Sequence, residues 1–379
     1  ARPAADRPEI ESADLASLAL DLAQWGVRDP AALRWLEPPP PANFAQAADL
    51  LRALEAIDAD GAITAHGRRL ARLPVHPRLA HMIERGREIG AGQTACRIAA
   101  RIEERDILRA RPGARAADIR LRLQALRDLA AGERFVHSEL SLNEGAARRA
   151  LRLASRLQAR LGAAARSEDS GDEDAGLLLA FAYPDRIARR RPGGEPRYLL
   201  ANGRGAALDP ADALAGEKFI AIADLDGAGA EGRVFMAGAL DETALREHFA
   251  AHIAVRETVE WDERQEKVVA ARQERLGALV LGEKPLASPS REAVLAALLA
   301  AVRQRGLAAV GLDENAETLR RRVAALRIAL GEDWPDLSDE ALLARLEEWL
   351  PAGEARGLGA PRPPDHARAL RNPPPREQP

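Results

Sequence analysis

The chain has 379 residues, is 46% hydrophobic and has a net charge of −3. Its length is sufficient for several domains with apolar cores that need neither disulfides nor structural metals. The nearly neutral charge excludes a global attraction to nucleic acid or to an anionic membrane, so any basic function must be local. Cys96 is the only cysteine, and we interpret it as a buried core residue of a cytoplasmic protein. The longest apolar runs, such as Ala293–Val302, are too short to span a membrane, and we expect no membrane partner.

The first 76 residues predict a linker followed by a winged helix. Residues 1–12 are rich in proline and polar side chains, as in a linker or the tail of a preceding domain. Helical patterns then cover residues 14–25 and 42–57. The turn Asp58-Ala59-Asp60-Gly61, a short strand and a helix that Thr64 can cap come next. This order predicts a winged helix over residues 13–76.

Residues 77–174 predict a helical bundle, because leucines recur at helical spacing through most of this region. The acidic run Ser167–Asp174 ends it and is typical of a solvated loop or linker.

Residues 175–286 predict a small OB-like antiparallel barrel. A short helix opens the region, and runs such as Phe219–Ala223, Val255–Trp261 and Lys267–Arg275 have the pattern of strands separated by glycines and turns. Helical patterns return in a C-terminal module over residues 287–350, and residues 351–379 predict a disordered tail. The predicted fold is therefore multidomain and mainly α, with one β-barrel.

The lysines exclude ATP hydrolysis by a P-loop within this sequence. Such a loop needs a lysine that follows glycine and precedes serine or threonine, whereas Lys218, Lys267 and Lys284 all follow glutamate. No Asp-Glu-x-His element is present to hold magnesium. We therefore assign no catalytic residue and no cofactor to this chain.

Two further patterns resemble metal sites only in part. His248 and His252 have a zinc-compatible spacing, but Phe249 stands where a zinc protease has its glutamate. Asp224-Leu225-Asp226-Gly227 begins like a calcium loop without the later carboxylates, and we interpret it as a hairpin turn. We assign no metal site.

A basic cluster opens the predicted barrel. Arg186, Arg189, Arg190 and Arg191 follow Tyr183 closely, and the glycine-flanked segment with Asn202 and Arg204 comes shortly after. Guanidinium groups bind phosphate and stack on bases, and a basic barrel face with aromatic groups is a common surface for single strands. Composition by itself favours an ordinary solvated face.

Several ordered motifs resemble the DEAH/RHA helicase family. The segment Leu54–Ile83 resembles the junction between winged helix and helical domain in that family. Its family elements are Gly61 with Thr64, Gly67-Arg68 and Leu73-Pro74-x-x-Pro77-Arg78-Leu79-Ala80. The segments that resemble the HrpB branch of this family are Glu103–Leu108, Ala182–Ala188, Leu200–Ala206, Ala223–Gly227, Arg275–Leu279 and Trp334–Asp339.

The resemblance implies the non-motor C-terminal region of an ATP-dependent helicase. It implies two RecA-like motor domains as partners, with ATP and Mg²⁺ bound in the motor of the parent enzyme. Pro8-Glu9-Ile10 resembles the end of the second motor domain, so we expect a longer parent protein. The resemblance also implies that the barrel guides single-stranded RNA, or alternatively DNA. The residues to which it carries this contact role are Arg186, Arg189, Arg190, Arg191, Asn202 and Arg204.

Two other functions remain open from the residues. The chain is alternatively a free-standing winged-helix and OB protein that binds nucleic acid, or a protein-interaction scaffold that docks through its C-terminal helices.

The lysine pattern makes one direct prediction. A protein made of these 379 residues should release no phosphate from ATP, with or without RNA, because no P-loop lysine is present. A colorimetric phosphate assay measures this. Release above the buffer blank that follows the chain through two chromatography steps would contradict the prediction.

Overall fold

The computed structural model describes residues 8–111, 116–161, 172–227, 231–265, 267–307, 312, 314–331 and 334–349. The chain divides into two compact units. The first comprises Ala1–Ile253 with Leu276–Leu279, and the second comprises Ala254–Arg275 with Val280–Pro379. The predicted tail and most of the acidic run Ser167–Asp174 lie outside the described residues.

The first unit begins with three helices: α1 (Ala16–Gln24), α2 (Pro41–Ala53) and α3 (Ala65–Leu70). Thr64 caps α3 as predicted, because its hydroxyl accepts a hydrogen bond from the Gly67 amide at 2.9 Å. The predicted strand before α3 is reduced to a single bridge between Ile57 and Ile63. Gly61, with φ +79°, makes the turn between these two residues.

The predicted bundle comprises helices α4 (Pro77–Glu88), α5 (Gly92–Glu103), α6 (Ile119–Ala131) and α7 (Glu144–Leu161). Cys96 is fully buried on α5, as expected, and burial raises the pKa of its thiol to about 12. The bundle also contains an antiparallel hairpin that the sequence analysis missed, β1 (Leu108–Ala110) with β2 (Leu140–Leu142). Strands of three residues are too short to give a readable alternation.

Helix α8 (Ala175–Ala182) leads from the bundle to the barrel, and all eight of its residues are buried. It packs against α4 and α5 of the bundle and against two strands of the barrel. Gly176 and Gly238 permit the close approach: a Cβ built on Gly176 would lie 1.7 Å from the Ala239 carbonyl oxygen.

The barrel is closed and has five strands, which are β3 (Ile187–Arg190), β4 (Arg197–Leu200), β5 (Gly205–Ala207), β6 (Phe219–Leu225) and β7 (Glu231–Ala239). Their order around the barrel is β3-β4-β5-β7-β6, with β6 paired back to β3. Only β5 and β7 run parallel among these pairs. The interior contains Tyr198, Ile220 and other buried apolar residues.

The expectation that barrel strands continue to residue 286 was wrong. Strands β8 (Ile253–Asp262), β9 (Lys267–Leu276) and β10 (Leu279–Pro285) form a separate three-stranded sheet. In sequence, helix α9 (Glu242–His248) follows the last barrel strand and precedes β8. Strand patterns do not indicate which sheet a strand joins, because pairing depends on contacts distant in sequence.

The second unit ends in helices α10 (Arg291–Arg305), α11 (Glu314–Leu330), α12 (Asp339–Ala344) and α13 (Leu346–Trp349). Leu299, Val302, Leu342, Leu346 and Trp349 belong to a shared core. The predicted C-terminal helical segments therefore correspond to helices of the structure.

Gly61 gives the first structural prediction. A Cβ at this position would meet no atom within 4 Å, so only its positive φ opposes a side chain. Gly61→Val should lower the free energy of unfolding by about 1–3 kcal/mol through backbone strain. Gly194→Val is the matched control, because Gly194 is equally open and lies outside the left-handed region. Denaturant titrations that give equal losses for both variants would contradict this account.

Gly176 and Gly145 should respond to alanine with opposite signs. Gly176→Ala forces a methyl group into the Ala239 backbone, where no side-chain rotation relieves it, and should cost about 3 kcal/mol or more. Gly145 lies in α7, and a Cβ added there would be 3.6 Å from its nearest neighbouring atom. Gly145→Ala should therefore raise the free energy of unfolding by up to about 1 kcal/mol. Chemical denaturation of both variants measures the difference.

Candidate nucleic-acid interface

Strand β3 sends its consecutive arginines to opposite sides of the barrel wall, because side chains alternate along a strand. Arg190 pairs with Tyr198, which is fully buried in the barrel core. Arg190 therefore lies on the core side, where one Nη donates to the Gly194 carbonyl at 3.4 Å. Its Nε is buried and has no hydrogen-bond partner in the described part of the chain. Arg189 and Arg191 lie on the outer side.

Tyr198 is a core residue and presents no ring to a ligand. Its hydroxyl donates to the carbonyl oxygens of Leu214 and Glu217 at 2.9 and 3.0 Å. Burial raises the pKa of Tyr198 to about 12, although the charge of Arg190 acts in the opposite direction.

Arg191, Arg197 and Arg233 form a row across the outer wall of the barrel, which we call the outer row. The Arg191 amide donates to the Arg197 carbonyl at 2.8 Å. Arg197 is in register with Ala207, and Ala207 is in register with Arg233. Glu231 accepts contacts from Arg191 at 3.7 Å and from Arg197 at 3.0 Å. The single carboxylate therefore holds two of the three guanidinium groups on the same wall.

Phe235 continues this wall along β7. It follows Arg233 by two positions and is 46% exposed, and the Arg233 guanidinium lies 5.8 Å from the centre of its ring. Arg197, Arg233 and Phe235 are not among the contact residues predicted from the sequence. The signal was available in Arg233-Val234-Phe235-Met236, because alternation puts Arg233 and Phe235 on one face.

The remaining candidates lie together at the end of the barrel where β3 begins. An Nη of Arg186 donates to the Ala223 carbonyl at 2.9 Å. The Asn202 amide donates to the Asp185 carbonyl at 3.2 Å, and its side-chain oxygen accepts from the Arg204 amide at 3.0 Å. Arg204 extends to the Gly227 carbonyl at 3.4 Å. The six predicted residues thus fall into three separate groups.

Tyr183 lies between two guanidinium groups and joins α4 to the barrel. Arg186 is 4.8 Å and Arg78 is 5.3 Å from the centre of its ring. Arg78 also donates to the Asp185 carboxylate at 2.6 Å and to the Ala182 carbonyl at 3.1 Å. Burial raises the pKa of Tyr183. This side chain is a structural contact between helix and barrel.

The two metal-like patterns have ordinary surroundings. The ring of His248 packs edge-on against Phe181, with centroids 5.7 Å apart, and His252 lies 6.1 Å from Phe249. The Asp226 carboxylate accepts from the Arg233 amide at 2.7 Å, between β6 and β7. Over the described ranges, no cluster of three histidine, cysteine or acidic side chains is arranged to hold a metal. In the same ranges, no helix is long and apolar enough to cross a membrane.

Two family models match the chain. The model of the helicase associated domain (HA2), winged-helix, matches residues 47–75, which cover part of α2, the Gly61 turn and α3. The model of the connector region of the ATP-dependent RNA helicase HrpB matches residues 252–286, which coincide with the separate three-stranded sheet.

Whole-chain comparisons agree with these matches. The chain is 35% identical over 354 residues to the ATP-dependent RNA helicase HrpB of Escherichia coli K12, which is 92% of this chain and 40% of that protein. A match to the human probable ATP-dependent RNA helicase DHX35 is 30% identical and covers 31% of this chain and 17% of that protein. The crystal structure of the E. coli DExH-box NTPase HrpB superposes with a TM-score of 0.60 at 33% identity, over 97% of this chain and 43% of that one.

The chain thus spans about two fifths of the length of the E. coli relative. Identity along nearly the whole chain, a shared fold and two family models agree with the resemblance that the motifs indicated. These findings identify the chain as a C-terminal HrpB-like region, homologous to E. coli HrpB over 92% of its own length.

Proposed function

We propose that this region is the accessory C-terminal part of a DEAH-box ATP-dependent RNA helicase and forms one wall of its nucleic-acid channel. The observation that carries the proposal is that the three arginines of the outer row share one face of a closed barrel with the half-exposed Phe235. Arginine binds phosphate through its forked guanidinium, and aromatic rings stack on bases without sequence preference.

The strand order supports an OB-like assignment for the barrel. Numbered within the barrel, its strands run 1-2-3-5-4 and the fourth pairs with the first. An OB-fold is a five-stranded Greek-key barrel that binds oligonucleotides across its second and third strands. These correspond to β4 and β5, where Arg197 of the outer row is in register with Ala207, which is in register with Arg233. A winged helix over residues 13–76 is part of the same proposal.

If single-stranded RNA follows the outer row, the six predicted contact residues differ in how well they are placed to contact it. Arg189 and Arg191 are on the outer wall, and Arg186, Asn202 and Arg204 are at one barrel end. Arg190 is the least suited to phosphate, because it lies on the core side opposite Tyr198. Arg197 and Arg233 take its place in the proposed surface.

The motor belongs to the parent protein in this proposal. Two RecA-like domains would bind ATP and Mg²⁺ and drive a single strand along the barrel wall in the cytoplasm. The 35% identity to a named RNA helicase over 92% of the chain favours RNA over DNA, and favours this function over a free-standing regulator or a scaffold.

Binding of single-stranded RNA should depend steeply on salt. If Arg189, Arg191, Arg197 and Arg233 each neutralise a phosphate, the log–log salt slope should be about −3. Affinity should then fall roughly fifty-fold between about 50 and 200 mM salt. Arg191→Ala with Arg233→Ala should flatten the slope by about 1.4, similarly for different sequences, because phosphates carry no base identity. Fluorescence anisotropy with a labelled oligonucleotide measures the slope.

A charge-matched control separates local contact from net charge. Arg52→Ala with Arg148→Ala removes two arginines that pair within their own helices, with Asp49 and Glu144. This variant should keep the parent slope. Equal slopes for both double variants would overturn the assignment of the outer row.

A further inference from the structure

A cleft of about 270 Å³ lies in the first unit, between the barrel and the hairpin β1–β2 of the bundle. Its apolar lining includes Leu108, Leu140, Leu208, Val234 and Phe235. Pockets for drug-sized ligands occupy about 300–1,000 Å³, so this volume suits a single small ring system. The cleft was not predicted from the sequence, because one of its walls is the hairpin β1–β2, which the sequence pattern did not indicate.

The mouth of the cleft joins the outer row. Arg233 belongs to both, and Phe235 lines the cleft while remaining 46% exposed. A single strand of nucleic acid whose phosphates contact the outer row would therefore bring a base to the ring of Phe235. Base–aromatic stacking of this kind contributes to single-strand binding in other proteins.

The polar lining combines donors and acceptors. Arg122 is 5% exposed, and its Nη2 donates to the Asp106 carboxylate at 2.9 Å. Its Nε is buried without a hydrogen-bond partner in the described ranges. Burial by itself would raise the pKa of Asp106, but the hydrogen bond and charge of Arg122, with the charge of Arg101, hold this pKa below its usual value. Asp106 is therefore ionised at neutral pH.

The charge of the lining disfavours a phosphate inside the cleft. Arg122 and Arg233 contribute two positive charges, and Asp106, Asp209 and Asp212 contribute three negative ones. The Asp212 carboxylate already accepts from two backbone amides, those of Ala117 and Leu214. A neutral ring that carries both acceptors and donors fits this lining, and nucleobases have that combination.

We propose that the cleft receives one nucleobase of the bound strand, stacked on Phe235 with its polar edge toward the Asp106 and Arg122 pair. This inference rests on the proposed function and deepens it. The outer row would hold the backbone, and the cleft would hold one base out of the stack. Such a contact adds affinity for bases without adding a phosphate contact.

The test compares two oligonucleotides of equal length, an ordinary single-stranded RNA and one in which every base is replaced by an abasic site. Phe235→Ala should weaken binding of the ordinary RNA by about 5- to 140-fold, the range expected for stacking of one base. The same variant should leave the abasic affinity and the salt slope unchanged, since no phosphate contact is lost. Phe235→Trp should keep the preference for bases. A single 2-aminopurine in the RNA should be quenched by the parent and not by Phe235→Ala.

Trp25→Ala is the matched control, because Trp25 is an aromatic side chain that is 74% exposed in the same unit and does not line the cleft. It should bind both oligonucleotides like the parent. If the parent binds RNA with the steep salt slope but Phe235→Ala behaves like Trp25→Ala, the cleft inference is wrong and the proposed function stands. If the parent binds neither oligonucleotide, the proposed function fails, and the cleft inference fails with it.

Discussion

The contact between helix α8 and the barrel is the constraint on which the first unit depends. All eight residues from Ala175 to Ala182 are buried, and the Gly176 backbone lies against Ala239 and Gly238. Because the backbones meet there without side chains between them, the distance between helix and barrel has little freedom. The packing of α8 against α4 and α5 then fixes the barrel relative to the bundle.

The contact with α8 sets the distance between the barrel and the bundle. Polar contacts then fix the orientation of the barrel relative to the bundle. Arg78 on α4 holds Asp185 and the ring of Tyr183 where the barrel begins. On the other side, the Ala237 amide donates to the Ala117 carbonyl at 2.9 Å and joins the segment before α6 to strand β7. The cleft beside Phe235 exists because these contacts leave the hairpin β1–β2 facing that strand. Its shape is therefore a property of the whole unit.

The arginines illustrate how one residue type serves different purposes in a chain of net charge −3. Arg101 and Arg122 are buried and share Asp106, so a single carboxylate neutralises part of their combined charge inside the bundle. Arg78 and Arg186 pack on Tyr183 and contribute to structure. The outer row instead presents its charges on the barrel wall. The outer row suits a polyanion best because its side chains lie on the outer wall, although Glu231 already pairs with Arg191 and Arg197 there.

The sequence by itself determined the types of most elements and the resemblance to HrpB. Helical spacing predicted the bundle and the C-terminal helices, the cap at Thr64 and the turn at Gly61 were readable locally, and short ordered motifs indicated the HrpB resemblance. These features depend on neighbours within a few positions along the chain.

The number of barrel strands, the hairpin β1–β2 and the separate sheet of β8–β10 were decided by tertiary structure, because strand partners lie far apart in sequence. For the same reason the sequence predicted the run Arg189-Arg190-Arg191 as one basic cluster, whereas the pairing of Arg190 with Tyr198 puts the Arg190 side chain on the core side. The row of Arg191, Arg197 and Arg233 exists only after β3, β4, β5 and β7 come into register, and no local pattern contains that information.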